Sequence, residues 1–168
     1  GVDARCARHD SGVAIAGNVS NGDTCILLEG IGGNQAFDRH AGRIIVLSND
    51  EPSSPRTWTF DVCTSTWHRM NPTGAMIGEL SAGLVYDVDS DVTVALGFEH
   101  ISVYDANTNT WTQATNNVVG IGDGPITPYG VAYDPVSGLI ITSAYRSEEC
   151  WAYDVDTNEW TLLGPLRW

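Results

Sequence analysis

The sequence predicts an all-β repeat protein made of four-stranded antiparallel units. Three observations predict it. First, an aromatic–Asp pair with a Trp six residues after the Asp occurs three times: Phe60-Asp61…Trp67, Tyr104-Asp105…Trp111 and Tyr153-Asp154…Trp160. These copies start 44 and then 49 residues apart, a spacing that marks repeat architectures. Second, another aromatic–Asp turn leads each time into a β-rich apolar run. These turns are Phe37-Asp38 before Arg43–Leu47, Tyr86-Asp87 before Val92–Leu96, and Tyr133-Asp134 before Leu139–Ser143. Third, no stretch of useful length has helical periodicity.

The elements follow in order. Residues 1–11 are polar and irregular. Gly12–Ala16 and Thr24–Leu28 are two apolar runs around an Asn-Gly turn, which reads as a hairpin. Its loop resembles the later Asp…Trp turns in length but lacks the Trp, so it reads as half a repeat. The first full repeat has strands a (35–38), b (43–48), c (57–61) and d (66–70). The second has them at 83–86, 92–97, 101–104 and 110–114, and the third at 130–133, 139–144, 150–153 and 159–163. Gly/Pro-rich loops, 71–82 and 115–129, separate the repeats. Gly42 and Gly138 suit a turn position with positive φ, and Asp91 is a tolerated substitute there. The leading Asp of each turn is suited to closing an Asx turn on its own backbone. Organisation is therefore expected as 1–34, a segment with a half-unit hairpin, then units 35–75, 76–118 and 119–168 in one structural domain.

Four short antiparallel strands per 45–50 residues, with an aromatic and a Trp in each unit, is the sequence sign of a β-propeller blade. Both faces of such a blade are covered by its neighbours. Large aromatics on alternate positions, such as Trp58 with Phe60 and Trp151 with Tyr153, fill the wedge between blades. Trp67, Trp111 and Trp160 are thus expected in inter-blade packing, and Asp61, Asp105 and Asp154 in turns. The pattern resembles the kelch family through Tyr104, Asp105, Thr108, Asn109 and Trp111, and again through Tyr153, Asp154, Thr157, Asn158 and Trp160. The first copy keeps Phe60, Asp61, Thr64 and Trp67 with Ser65 in place of Asn. Where kelch repeats end strand b on Gly-Gly, this chain has Ser48-Asn49, Gly97-Phe98 and Ala144-Tyr145. The resemblance, across residues 35–165, is to a divergent kelch-like propeller of the galactose-oxidase-central-domain type. It implies rings of six or seven blades. Three blades plus an N-terminal c–d hairpin make a partial or open propeller, expected as part of a larger ring, in assembly with other chains, or as a compact, self-sufficient domain of three to four blades.

Composition excludes some partners. Net charge is −13, with eight cations, all Arg, against 21 carboxylates. Such a surface repels nucleic-acid backbones and anionic membranes. No run of about 18 apolar residues is present for a membrane helix, and Gly1–Arg5 lacks the apolar core of a leader, so the start reads as a mature or trimmed end. Cys6, Cys25, Cys63 and Cys150 form no CxxC pair. One or two disulfides are expected, with Cys6–Cys25 favoured and Cys63 and Cys150 equally readable as free thiols. Asn18-Val19-Ser20 is an N-glycosylation sequon.

Candidate chemistry sits where the chain does not repeat. The b–c loops carry Asp50 and Glu51, then Glu99 and His100, then Arg146 and Glu148. Glu99 and Glu148 each stand six residues before the strand-c Asp. These six form the expected ligand-binding set, at the propeller face where b–c and d–a loops gather. Asp87–Asp91 and Asp154–Asn158 echo the alternating oxygens of a calcium loop, but Val92 and Phe98, or Glu159 and Pro165, stand where that loop needs Gly and an acidic residue. His9, His40, His68 and His100 have no metal-ligand spacing, Gly30-Ile31-Gly32-Gly33 lacks the Lys of a phosphate loop, and no Gly-x-Ser-x-Gly elbow occurs. No catalytic or metal residue and no cofactor is expected, calcium being the one alternative. The reading is a non-catalytic module for protein or glycan binding, extracellular or at the cell surface, with the cytoplasm as alternative. The other readings are a portion of a catalytic propeller, a carbohydrate oxidase or glycan-processing enzyme with its active residues outside this chain, and an architectural repeat in an assembly or filament.

Overall fold

The computed structural model describes residues 35–48, 55–74, 83–97, 100–114, 128–144 and 149–165. They form three four-stranded sheets, each an antiparallel meander in chain order. Sheet 1 is β1 (Gln35–Asp38), β2 (Arg43–Ser48), β3 (Arg56–Asp61) and β4 (Thr66–Arg69). Sheet 2 is β5 (Gly83–Asp87), β6 (Val92–Leu96), β7 (Ile101–Asp105) and β8 (Thr110–Gln113). Sheet 3 is β9 (Pro128–Asp134), β10 (Leu139–Ala144), β11 (Glu149–Asp154) and β12 (Glu159–Pro165). The expected N-terminal hairpin lies outside the described residues.

The strands fall within one or two residues of the expected ones, and β9 and β12 overrun them for a local reason. Register shifts occur between Ser143 and Ala144 and between Cys150 and Trp151. Each lets an extra residue into the ladder, so pairing continues to Pro128 and to Pro165.

One turn design closes the six hairpins that join the first strand of each sheet to the second and the third to the fourth. The carboxylate of the leading Asp accepts backbone N–H groups two or three residues on. Asp61 takes Cys63 and Thr64 (both 2.9 Å), and Asp87 takes Asp89 (3.0 Å) and Ser90 (3.1 Å). Asp105 takes Asn107 (2.8 Å), Asp134 takes Val136 (3.0 Å), Asp154 takes Asp156 (2.9 Å), and Asp38 takes Ala41 (2.9 Å). The residue four after each Asp is left-handed: Gly42, Ser65, Asp91, Asn109, Gly138 and Asn158 have φ between 52° and 72°. That conformation aims the chain back into the ladder and is cheap only for Gly, Asn and Asp.

β1, β5 and β9, the first strand of each sheet, lie side by side. The sheets therefore fan out from a common inner edge, and two cores fill the wedges between them. Between sheets 1 and 2 sit Ala36, Ile45, Leu47, Leu84, Tyr86, Tyr104 and Trp111. Between sheets 2 and 3 sit Val85, Val94, Leu96, Ile101, Ile140 and Tyr153. Sheet 2 feeds both through strand alternation: Leu84 and Tyr86 face one way and Val85 the other. Burying each such side chain is worth about 1.5–3 kcal/mol.

Two details tie sheet 1 to sheet 2. The Trp111 indole Nε1 donates to Thr57 Oγ1 at 2.9 Å across the wedge. The chain after β4 then clasps the outer edge of β8: Thr73 N–H donates to Asn109 O (3.0 Å), and Trp111 N–H donates to Thr73 O (2.9 Å). Gly74 makes this approach possible, because a Cβ there would lie 2.0 Å from the Trp111 carbonyl oxygen. The clasp covers an otherwise open sheet edge.

Cys63 is disulfide-bonded, and Cys150 is free. The expected Cys6–Cys25 pairing falls on residues outside the described ones.

Candidate functional site

Antiparallel meanders put the a–b and c–d turns at one end of the sheets and the b–c and d–a loops at the other. The two ends differ in what their polar groups do.

At the turn end, the left-handed residue has a second job. Tyr104 OH donates to Asn109 Oδ1 and Tyr153 OH to Asn158 Oδ1, both at 2.8 Å, and Tyr86 OH donates to Asp91 Oδ1. A buried Tyr one residue before the Asp thus meets the amide or carboxylate that closes its own turn. In sheet 1 the aromatics are Phe37 and Phe60, which carry no hydroxyl, and the closing residues are Gly42 and Ser65. Tyr133 breaks the rule, since Gly138 has no side chain to offer. Asp89 of sheet 2 fills that place, its Oδ2 3.1 Å from where a Gly138 Cβ would stand. Burial and the neighbouring Asp89 and Asp87 carboxylates push the Tyr133 phenol up to about 12. Burial raises Tyr153 to about 12 as well, with Asp154 adding to it.

Further bonds cross between sheets along this end. His40 Nδ1 of sheet 1 lies 3.1 Å from Asp91 Oδ1 of sheet 2, whose Oδ2 also accepts from Asn107 Nδ2 of its own sheet at 3.1 Å. Ser90 Oγ donates to Asp156 Oδ1 at 3.2 Å. The Tyr86 hydroxyl is the main influence holding the Asp91 carboxyl below its ordinary value. Asp61 is likewise lowered, chiefly by the Thr64 amide. For Asp105, burial pulls upward, but the Thr108 hydroxyl and the Asn107 and Thr108 amides outweigh it. The carboxylates of Asp87 and Asp91, which a calcium loop would turn toward an ion, already accept from Asp89, Ser90, Tyr86 and Asn107. Among the described residues no group of three His, Cys, Asp or Glu side chains is placed to hold a metal ion.

At the loop end the structure describes one of the six expected binding residues, His100. Asp50, Glu51, Glu99, Arg146 and Glu148 lie outside the described residues. His100 follows the b–c loop of sheet 2: Gly97 N–H donates to its carbonyl (2.9 Å), and its Nδ1 lies 3.1 Å from Gln113 Nε2 of β8. One further acidic group, a charged residue of the b–c loop left out of the expected set of six, sits at the start of β11. Glu149 Oε2 accepts the Trp151 indole N–H at 3.3 Å. Its position two residues before an aromatic on the same strand face was the available signal.

The repeat tryptophans behave as packing residues in two places of three. Trp111 is 2% exposed in the first wedge, and Trp160 packs on the second core. Trp67 is 45% exposed, because no described sheet covers the outer face of sheet 1.

Neither a family model nor a curated protein matches the sequence. Solved structures do match. The chain superimposes on a chain of a nidogen/laminin complex with a TM-score of 0.56 at 11% identity, covering 79% of this chain and 46% of that one. The fold is that of a β-propeller. The three sheets are its blades, with β1, β5 and β9 at the inner edge. The extracellular domain of the putative hybrid two-component system BT4673 from B. thetaiotaomicron is similar at a TM-score of 0.54 and 6% identity, over 79% of this chain and 17% of that one. An auxiliary nutrient binding protein from Bacteroides thetaiotaomicron VPI-5482 matches at 0.54 and 12% identity, over 82% and 31%. The propeller arc described here spans less than half the length of each of these chains.

Proposed function

We propose that this chain is a kelch-like, non-catalytic propeller module that binds a protein or glycan at its loop end, outside the cell or at its surface. The division of labour between the two ends carries the reading. At the turn end the six leading Asp residues cap their own hairpins, and the closing residues Asp91, Asn109 and Asn158 hold buried tyrosines. Function then falls to the unrepeated b–c loops with Asp50, Glu51, Glu99, His100, Arg146 and Glu148. The net charge of −13 favours neutral polar or cationic ligands. Similar structures support a binding role by their descriptions: a complex between two proteins, an extracellular domain and a nutrient-binding protein. The test presents the whole chain to an array of neutral oligosaccharides and Arg/Lys-rich peptides. Any hit is then titrated against Glu99→Gln/Glu148→Gln and against Asp156→Asn at the turn end. At least tenfold weaker binding in the loop variant, with the turn variant unchanged, is expected. No hit, or a hit lost only in Asp156→Asn, overturns the assignment.

A further inference from the structure

Blade 3 differs from its neighbours at the loop end. Among the described residues only its ladders carry register shifts, and both flank its b–c loop, at Ser143/Ala144 and at Cys150/Trp151. Bulges of this kind gather at sheet rims and beside active sites, where they re-aim side chains. Here the shift sets Trp151 opposite Leu162 and skips Leu163. The two leucines are 48% and 54% exposed. Trp151 is half-buried, and it does not join the second core as Tyr153 and Trp160 do. The corresponding residue of blade 2 is Ser102, 1% exposed, so a wedge closes without an aromatic at this place. Glu149 stands two residues before Trp151 on the same strand face and accepts its indole N–H at 3.3 Å.

These residues make a ledge of one indole, two leucines and one carboxylate. Its polar chemistry is one-sided. The only side-chain donor of the ledge, the Trp151 N–H, is already given to Glu149. The carboxylate has about four lone-pair sites, and the indole takes one of them. A sugar hydroxyl asks for donors as well as acceptors, whereas a guanidinium brings only donors. The guanidinium plane also stacks on an indole face. Its charge suits both the carboxylate and a chain of net charge −13.

We infer that the Glu149–Trp151–Leu162 ledge of blade 3 binds an arginine side chain of a partner protein. The guanidinium stacks on the Trp151 indole and pairs with the Glu149 carboxylate, and Leu162 carries the aliphatic stem. This rests on the loop end being the binding end, and it chooses protein over glycan.

The whole chain is titrated with a capped Gly-Arg-Gly peptide, with its citrulline counterpart and with maltotriose, following the indole N–H signals by NMR. Trp151→Phe identifies the Trp151 signal. The Arg peptide should shift that signal saturably and leave the signal of Trp111, in the first wedge, in place. Citrulline keeps the shape without the charge, so its peptide should bind about tenfold more weakly or worse, as should the Arg peptide to Glu149→Gln. The citrulline comparison needs no variant and decides the matter even if Glu149→Gln melts early. No saturable shift at Trp151, or equal affinity for the Arg and citrulline peptides, overturns the inference. A shift at Trp151 by maltotriose and not by the Arg peptide also overturns it, but leaves the loop end as the binding end. Arg-peptide binding lost in Glu99→Gln/Glu148→Gln and kept in Glu149→Gln does the same.

Discussion

The hydrogen bond between Trp111 and Thr57 gives the sharpest test of how the blades hold together. Both groups are buried, and the indole N–H has no water to turn to if Thr57 Oγ1 is removed. Thr57→Val keeps the shape and deletes the acceptor. An unpaired buried donor costs about 1–3 kcal/mol, which for a chain of this size lowers Tm by about 2–12 °C. Blade 3 offers an internal comparison. The Trp160 indole nitrogen is buried with no hydrogen-bond partner, and the position equivalent to Thr57 in blade 2 is Ile101. The fold therefore tolerates one such orphan but has satisfied the other. The assay is urea unfolding of the wild type, Thr57→Val, Trp111→Phe and the double variant. The coupling energy should be about 1–3 kcal/mol, with Thr57→Val nearly neutral once Trp111 is Phe. If Thr57→Val costs the same in both backgrounds, the bond is not what the valine removes, and the account of this interface fails.

Gly74→Ala drives a Cβ into the Trp111 carbonyl oxygen and strains a φ of +82°; it should release the clasp on β8, cost more than about 2 kcal/mol, and speed amide exchange at Thr73 and Trp111. Asn109→Gly keeps the left-handed turn but leaves Tyr104 OH without its acceptor, so a loss of about 1–2 kcal/mol is expected, mostly abolished in a Tyr104→Phe background. Asp61, Asp91, Asp105 and Asp134 ionise below their ordinary value of 3.8. The unfolded chain binds more protons there, so stability present at neutral pH is lost as pH falls through about 4 and below; thermal melts from pH 6 to pH 2.5 check this, and a flat Tm refutes it. Tyr133 and Tyr153 lie on the other side, raised from 10.0 to about 12. Their stabilising contribution is whole below pH 10 and disappears between pH 10 and 12, so phenolate absorbance in alkali should lag behind that of free tyrosine until the chain unfolds.

Much of this arc was legible in the sequence because its signals are local. Asp87 caps its own hairpin, and Gly42, Asp91 and Gly138 turn the chain within four residues of an Asp. Strand positions therefore follow from spacing alone. The register shifts that lengthen β9 and β12 leave no such mark, because a bulge depends on the neighbouring strand. Long-range partners were not legible either. Nothing at Thr73 announces that it will bond Asn109, 36 residues on, and nothing at Thr57 points to Trp111. The tyrosine–turn pairs were visible in principle: Tyr86, Tyr104 and Tyr153 go with Asp or Asn five residues on and Phe37 and Phe60 with Gly or Ser, Tyr133 with Gly138 being the exception. The expected ligand residues were read from loops that do not repeat, and only His100 has its surroundings defined.

The carboxylate of Asp89, lodged where Gly138 has no side chain, gives the blades an order. Blade 2 presents an acid, and blade 3 presents a vacancy beside a tyrosine hydroxyl. If blade 2 were followed by a second blade 2, that acid would face Asp91 instead, setting two carboxylates against each other at the surface end of the wedge. Repeats that look interchangeable as strings are thus neighbours by appointment. An array made by repeating the middle unit would carry that repulsion at every junction, and closing its blades would be easier with one aspartate of each facing pair replaced.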